Sequence, residues 1–291
     1  MLPSFSYLQP QNKQELLITI TQKQGEKFRL LAGGTDLLPA LRSEAFDLDY
    51  LIDLSAVGLN QIKKDKNADY LSIGAMVTFR QLIQDPVVNQ YFPALAQSSR
   101  SVGAVQTRSL ATIGGNICSA VPSCDSAPSL LVLGAEVVLS STKADRRLPL
   151  EDFFQGPRRT DCQSDEYISE LLLPLPKEGS TSCSIKYGRR KALTLPLVNG
   201  AVSLQVIAGK VAACRIALGS VAPTPRRALQ AEMTLLGQDV RPEIFQEAAY
   251  IAAKEMSPID DLRASANYRQ ELCSVLVRRA LENCLAKEEV R

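Results

Sequence analysis

The alternation of apolar and polar positions changes character several times along the chain, and each change predicts an element. Residues 12–24 (NKQELLITITQKQ) read as a helix, followed by a strand-like FRLLA that stops abruptly at GGTD. The segments 48–54 (LDYLIDL) and 70–73 read as short strands, and TFRQLIQDPVV opens a helix with Thr78 as its N-cap. Residues 93–99 continue as a short helix toward SVGAVQTRSLATIGGN, while 130–139 mix apolar and β-branched residues without helical spacing and predict a buried strand. The stretch 174–182 (PLPKEGSTS), dense in Pro, Gly and Ser, is the best linker. Beyond it come three strands, SCSIKYG, VSLQVIAG and KVAACRIALGSV, with Gly209-Lys210 marking a tight hairpin between the last two. Helices are predicted at 225–236, 242–255 and 268–286, the last with Leu272, Val275 and Leu276 on a core-facing side. Strands first and helices after predict an α+β lobe here, not a βαβ repeat.

Composition narrows the chemistry. The 291 residues, 45% of them apolar, suffice for two or three compact lobes. Lys plus Arg (33) nearly balance Asp plus Glu (31), so no global field favours nucleic acid or an anionic membrane. No apolar run approaches the roughly 20 residues that span a bilayer, and the N-terminal MLPSFSYLQPQNKQELL lacks the pattern of a secretory signal, so a cytoplasmic protein is expected. The seven cysteines (118, 124, 162, 183, 214, 273, 284) form no CxxC pair. They predict small buried hydrophobes, not a disulfide framework, zinc ribbon or iron–sulfur cluster held by this chain alone. There is no histidine, which removes the usual general base and the usual haem and zinc ligand together. Any redox chemistry must therefore belong to a non-covalently held organic cofactor.

Two glycine-rich segments carry candidate chemistry. The first is Leu30, Leu31, Ala32, Gly33, Gly34, Thr35, Asp36 and Leu37, directly after a strand. Consecutive glycines let backbone N–H groups approach an anion, and Thr35 adds a hydroxyl donor; a plain tight turn before a helix is the alternative. The second runs from Ala111 through Thr112, Ile113, Gly114, Gly115 and Asn116 to Pro122 and Asp125. Its hydroxyls and amide suit phosphate and ring edges, and Asp125 can accept from a ribose hydroxyl or a ring N–H; the alternative is an irregular loop with Asp125 as a helix N-cap. The Arg pairs at 158–159, 189–190 and 226–227, and the run Lys63-Lys64-Asp65-Lys66, read as solvated or interfacial charge.

A strand followed by GGTDL, then some 80 residues later by TIGGN and Pro-x-x-Asp, resembles the flavin subunit of the xanthine dehydrogenase and carbon monoxide dehydrogenase family. Supporting marks, in order, are Gln106-x-Arg108, Asp165-Glu166 before a strand ending in Pro174, Lys186-Tyr187-Gly188-Arg189-Arg190, and Ala222-Pro223-Thr224-Pro225-Arg226. The resemblance covers essentially the whole chain. It implies an FAD-binding domain of the vanillyl-alcohol oxidase type over residues 1–176, two-lobed and split near 55, with a C-terminal α+β domain over 177–291. Residues 30–37 are then expected to wrap the FAD diphosphate, and 112–116 to meet the diphosphate and the flavin side. Asp125 is a further cofactor contact, Ile168 an apolar one and Lys186 a basic one, although a strand lysine is ordinarily solvated.

Three positions depart from the family pattern. Val102 stands where some members place an aromatic near the cofactor, Ser109 replaces a frequent Asn, and Ala192-Leu193-Thr194-Leu195-Pro196 lacks the usual acidic residue after KxxRR. The resemblance further implies a small partner with two [2Fe–2S] clusters, a large partner with the molybdenum cofactor, NAD or another acceptor, and a dimer of heterotrimers. A self-sufficient FAD-dependent oxidoreductase of the related fold is the alternative; it requires an acid or base over the flavin, and no sequence feature supplies one. A flavin-less scaffold subunit is the other, and both glycine motifs argue against it. No cysteine-rich insertion for a [4Fe–4S] cluster is present.

Overall fold

The computed structural model describes residues 3–43, 46–64, 68–190 and 192–288, apart from the side chains of 287 and 288. Asp65 and Lys66 of the charged run fall outside the described residues. Three larger sheets organise the described residues in sequence order, with a separate two-stranded pair within the second lobe.

The first lobe holds β1 (Ser6–Leu8), α1 (Lys13–Gln22), β2 (Phe28–Leu31), α2 (Leu37–Arg42) and β3 (Tyr50–Asp53). Its strands are parallel in the order β1-β3-β2. Successive strand side chains point to opposite faces. Ile52 accordingly meets Leu16 and Ile20 of α1 on one face, and Leu51 meets Leu41 of α2 on the other. Covering both faces leaves β2 as an edge whose C-terminal end is free to run into GGTD.

The middle lobe begins with β4 (Ile62–Lys63) and β5 (Tyr70–Gly74), and then five short helices. These are α3 (Phe79–Gln84), α4 (Pro86–Tyr91), α5 (Pro93–Ser101), α6 (Val105–Leu110) and α7 (Ile113–Cys118). There follow α8 (Ala127–Val132), β6 (Glu136–Ser140), β7 (Asp145–Pro149), α9 (Leu150–Phe153), β8 (Phe154–Gly156), β9 (Arg159–Thr160) and β10 (Tyr167–Pro174). An antiparallel sheet of order β4-β5-β10-β6-β7 backs these helices. The predicted strand at 130–139 is thus half wrong: 130–132 finish α8, and only the later residues extend. Pro128 at the start of α8 favours the helix, and every residue of 127–132 is buried, which erases the amphipathic spacing by which a helix is read.

The third lobe pairs β11 (Ser180–Gly188), β12 (Pro196–Ile207), β13 (Lys210–Gly219) and β14 (Arg226–Arg227) in antiparallel order. It closes with α10 (Leu229–Leu235), α11 (Pro242–Lys254) and α12 (Ala266–Glu288). The β12–β13 hairpin turns at Ala208 and Gly209, both left-handed (φ 50° and 75°), one residue earlier than its sequence marker. The predicted helix at 225–236 starts late, because Arg226 and Arg227 pair with Leu218 and Ala217 as an edge strand. On α12 the core side is Cys273, Leu276, Val277, Ala280, Leu281 and Cys284; Val275 lies on the exposed side, against expectation. α12 and α10 cover one face of this sheet with α11 packed on both helices, while α5 and α8 of the middle lobe pack on the other. Ala201 and Ala217 therefore join the middle lobe's core, and the two lobes share an apolar seam. Five of the seven cysteines are buried as predicted; Cys118 is exposed and Cys162 half-buried.

Candidate functional site

Residues 32–36 link β2 to α2 at the sheet edge, and the fold presses this link against the second glycine segment. A Cβ on Gly33 would lie 1.9 Å from the Leu110 carbonyl oxygen, so only glycine allows that approach. Gly34 is left-handed (φ 69°) and turns the chain into α2. The Ala32 methyl lies 3.5 Å from where a Cβ on Gly115 would stand, so a side chain as small as a methyl would bring the two segments into van der Waals contact. Leu30, Leu31 and Leu37 anchor the first segment in the cores of its lobe.

The second segment is fixed from behind. Ile113 N–H donates to the Val77 carbonyl (2.9 Å) and Gly114 N–H to that of Ala75 (2.9 Å). Ala75 N–H in turn donates to the carbonyl of Ser169, where an irregularity shifts the β10–β6 register. Gly114 has no room for a side chain, since its Cβ would meet Ala75 at 2.6 Å. Thr112 caps α7 by accepting from Gly115 N–H at 3.2 Å. Asn116 Oδ1 accepts from the Ser126 hydroxyl (2.7 Å) and the Cys124 thiol (3.1 Å), tying TIGGN to the Asp125 segment.

Asp125 does not cap α8; Ser126 holds that position, without a side-chain hydrogen bond. Lys186 of β11 instead donates to Asp125 Oδ2 at 2.8 Å and to the Ser101 carbonyl at 3.0 Å. The two side chains are only 10% and 14% exposed, so Lys186 is not the solvated strand lysine of the alternative reading. Burial outweighs the opposing pull of Lys186 and leaves the Asp125 carboxyl raised to about 6. Val102, next to Ser101, is buried and its carbonyl accepts from Arg108 at 2.8 Å. Ile168 lies inside the middle-lobe core, 3% exposed, one residue before Ser169. Glu166 is clamped by Arg146 (2.6 and 2.9 Å), which also reaches Asp161, and Asp165 pairs with Lys143 at 3.1 Å. The acidic pair at 165–166 therefore serves a surface clamp.

Folding leaves a distinctive set of groups unused at this junction. Among the described residues, the N–H groups of Gly33, Gly34, Thr35 and Asp36 donate to no protein acceptor. Asp125 Oδ1 is buried without a partner. Unspent donors on one segment, and an orphaned acceptor on the stretch that Asn116 ties to the other, call for a ligand with anionic oxygens and hydroxyl or N–H groups.

Comparison with known proteins agrees. The profile of the FAD binding domain in molybdopterin dehydrogenase matches residues 3–176, and that of the CO dehydrogenase flavoprotein C-terminal domain matches 184–284. The chain belongs to the FAD-binding subunits of the molybdenum hydroxylases. It is 30% identical to the carbon monoxide dehydrogenase medium chain of Hydrogenophaga pseudoflava, over 98% of both chains. It is 29% identical to the glyceraldehyde dehydrogenase medium chain of Sulfolobus acidocaldarius, over 96% of this chain and 98% of that one. It is also 30% identical to the xanthine dehydrogenase FAD-binding subunit of Escherichia coli O157:H7, over 89% of each. Among solved structures, carbon monoxide dehydrogenase from H. pseudoflava superposes with a TM-score of 0.94 at 31% identity, covering 98% of this chain and 99% of that one. Quinoline 2-oxidoreductase from Pseudomonas putida 86 gives 0.92 at 28%, covering 99% of both.

The unspent N–H groups and the orphaned carboxylate oxygen fit the FAD that this family carries: a diphosphate needs the first, a polyhydroxyl chain the second. The α+β fold, with two lobes before the C-terminal domain, is that of the flavoprotein subunit. Among the described residues no helix is long and apolar enough to cross a membrane, and none of their His, Cys, Asp and Glu side chains group as a metal site. Three site neighbours escaped the sequence reading: the Ser101 carbonyl, Asn199, whose amide donates to the Cys124 carbonyl, and Ser220, whose N–H donates to the Pro122 carbonyl. Asn199 was visible as a lone amide in the apolar run PLVNGAV, whereas Ser220 and the Ser101 carbonyl carry no sequence signal.

Proposed function

We propose that this chain is the electron-transfer component of a cytoplasmic, heteromeric molybdenum hydroxylase. Electrons from two [2Fe–2S] clusters on a small partner, fed by the molybdenum cofactor of a large partner, would pass through this chain to NAD⁺ or another acceptor. Bound FAD supplies the exchange of one or two electrons that joins one-electron clusters to a two-electron acceptor. The N–H groups of 33–36 would bind the diphosphate, with Leu30 to Leu37 wrapping it and Thr112 to Asn116 as the second wall. Asp125 would accept from the cofactor while Lys186 balances its charge, and Val102 and Ile168 would back the site with apolar surface. Residues 1–176 and 177–291 would act as the FAD-binding and C-terminal domains, in a dimer of heterotrimers.

The observation that carries the reading is the combination of the unspent 33–36 N–H groups with the orphaned Asp125 Oδ1, whose other oxygen is committed to Lys186. Its site chemistry is binding chemistry. The names of the relatives support a multi-chain enzyme, since two are medium chains. The free thiols suit the reducing cytoplasm. The test is anaerobic reduction of the bound FAD by an aldehyde, a purine or an aromatic N-heterocycle, with and without the two partners. Reduction only in the assembled complex is expected. Turnover of any of these by the lone chain would replace this reading with a stand-alone FAD oxidoreductase.

A further inference from the structure

Lys186, Asn199 and Gly219 stand directly opposite one another across β11, β12 and β13, one row over three strands. Side chains opposite in an antiparallel pair share a face. The face in question meets residues 122–125 of the FAD-binding domain. Lys186 holds the Asp125 carboxylate at 2.8 Å, Asn199 Nδ2 donates to the Cys124 carbonyl at 3.0 Å, and Ser220 N–H donates to the Pro122 carbonyl at 2.7 Å. The third lobe thus grips three of four consecutive residues of the segment that presents Asp125.

Asn199 is the pivot of this grip. It is 3% exposed within an otherwise apolar stretch of β12. A buried amide costs free energy unless both its ends are bonded. Its Oδ1 accepts from the Ser220 hydroxyl at 3.3 Å, and it fills the space that a side chain on Gly219 would take (2.6 Å to Oδ1). An apolar residue would fill the same volume without desolvating an amide, so what the amide adds is direction. Ser220 is itself held in the left-handed region (φ 67°), unusual for a residue with a side chain. Buried Arg269 of α12 secures it from behind, donating to the Ser220 carbonyl at 3.3 Å and the Leu197 carbonyl at 2.8 Å, with Asp261 as its ion partner at 2.8 Å.

We infer that Asn199, with Ser220 and Arg269 behind it, is a positioning residue of the cofactor site: through Cys124 it sets where the Asp125 carboxylate meets the bound ligand. The inference rests on the reading of this junction as the FAD site. It makes FAD affinity a property of the third lobe as much as of the glycine segments.

The test is a double-mutant cycle on the full-length apoprotein, with the FAD Kd read from quenching of flavin fluorescence and folding checked by Tm. Asn199→Ala should raise Kd about tenfold, the loss of one well-placed buried hydrogen bond. In an Asp125→Asn background, which should itself bind FAD more weakly, Asn199→Ala should change Kd less than about twofold, because the group it positions is already altered. An equal loss in both backgrounds, no loss in either, or an Asp125→Asn variant that binds normally overturns the inference. Should Asn199→Ala fail to fold, Ser220→Gly removes the hydroxyl's hold on Asn199 while relieving the left-handed backbone. Its Tm should not fall and its Kd should rise, by about two- to fivefold on the loss of a weaker bond; an unchanged Kd contradicts the proposal. Failure of the unmodified chain to take up FAD would instead sink the flavin reading itself.

Discussion

Glycines 33 and 115 answer to different demands, although the motifs present them alike. At Gly33 a methyl would strike a backbone carbonyl, that of Leu110, which cannot move without moving α6. At Gly115 the nearest groups are the Thr112 hydroxyl at 3.0 Å and the Ala32 methyl, which yield by a few tenths of an ångström. Gly33→Ala should therefore destabilise the apoprotein itself, by about 2 kcal/mol or more. Gly115→Ala should fold normally yet raise the FAD Kd at least about tenfold, because its methyl intrudes between the two walls. Urea unfolding of both apoproteins beside flavin titration checks the contrast; a Gly115→Ala chain with unaltered affinity would place the cofactor away from this wall. Such residue-level roles were only half legible. The order of small residues marks the segments, but whether a given glycine serves a ligand or the chain's own packing depends on contacts 80 residues away in sequence. Lys186 shows the same limit from the other side: strand alternation makes it a solvated lysine, and only the resemblance pointed inward, toward the partner the fold supplies in Asp125.

Among the elements, those with end signals were legible and those defined by tertiary burial were not. Thr78 and Gln81 form a reciprocal capping box on α3, as the N-cap reading required: Gln81 N–H donates to the Thr78 hydroxyl at 3.2 Å and Thr78 N–H to Gln81 Oε1 at 2.9 Å. The cap also steadies the site, since Phe79 N–H donates to the Ala111 carbonyl and a bridge joins Thr78 to Thr112. Thr78→Ala should cost about 1 kcal/mol of stability, the usual worth of an N-cap, and change FAD affinity less than about twofold. Chemical denaturation with parallel flavin titration measures both; a large loss of affinity would mean that the cap shapes the cradle instead of merely supporting it. By contrast α8 hid behind its own burial, and β14 behind the helix that follows it. Neither carries periodicity, because one has no solvent face and the other is two residues long.

At the scale of the whole molecule, three lobes meet around one junction, and each supplies a part that the others lack. The first contributes unspent backbone donors, the second the wall and the orphaned carboxylate oxygen, and the third the lysine that binds that carboxylate and the amide that binds the neighbouring Cys124 carbonyl. The division into strands followed by helices was readable from the linker onward. The packing of α5 and α8 on the third sheet was not, because the seam is written in small residues such as Ala201 and Ala217. The chain has no histidine, and burial pushes the Cys124 thiol up to about 12, so the nucleophilic thiolate required for a covalent flavin link is suppressed there. The most direct measurement is the flavin content of the purified full-length chain before and after acid precipitation. One FAD per chain, with all of the yellow chromophore released into the supernatant, is the predicted result; a colourless chain that takes up no added FAD, or flavin that stays with the precipitate, would contradict it.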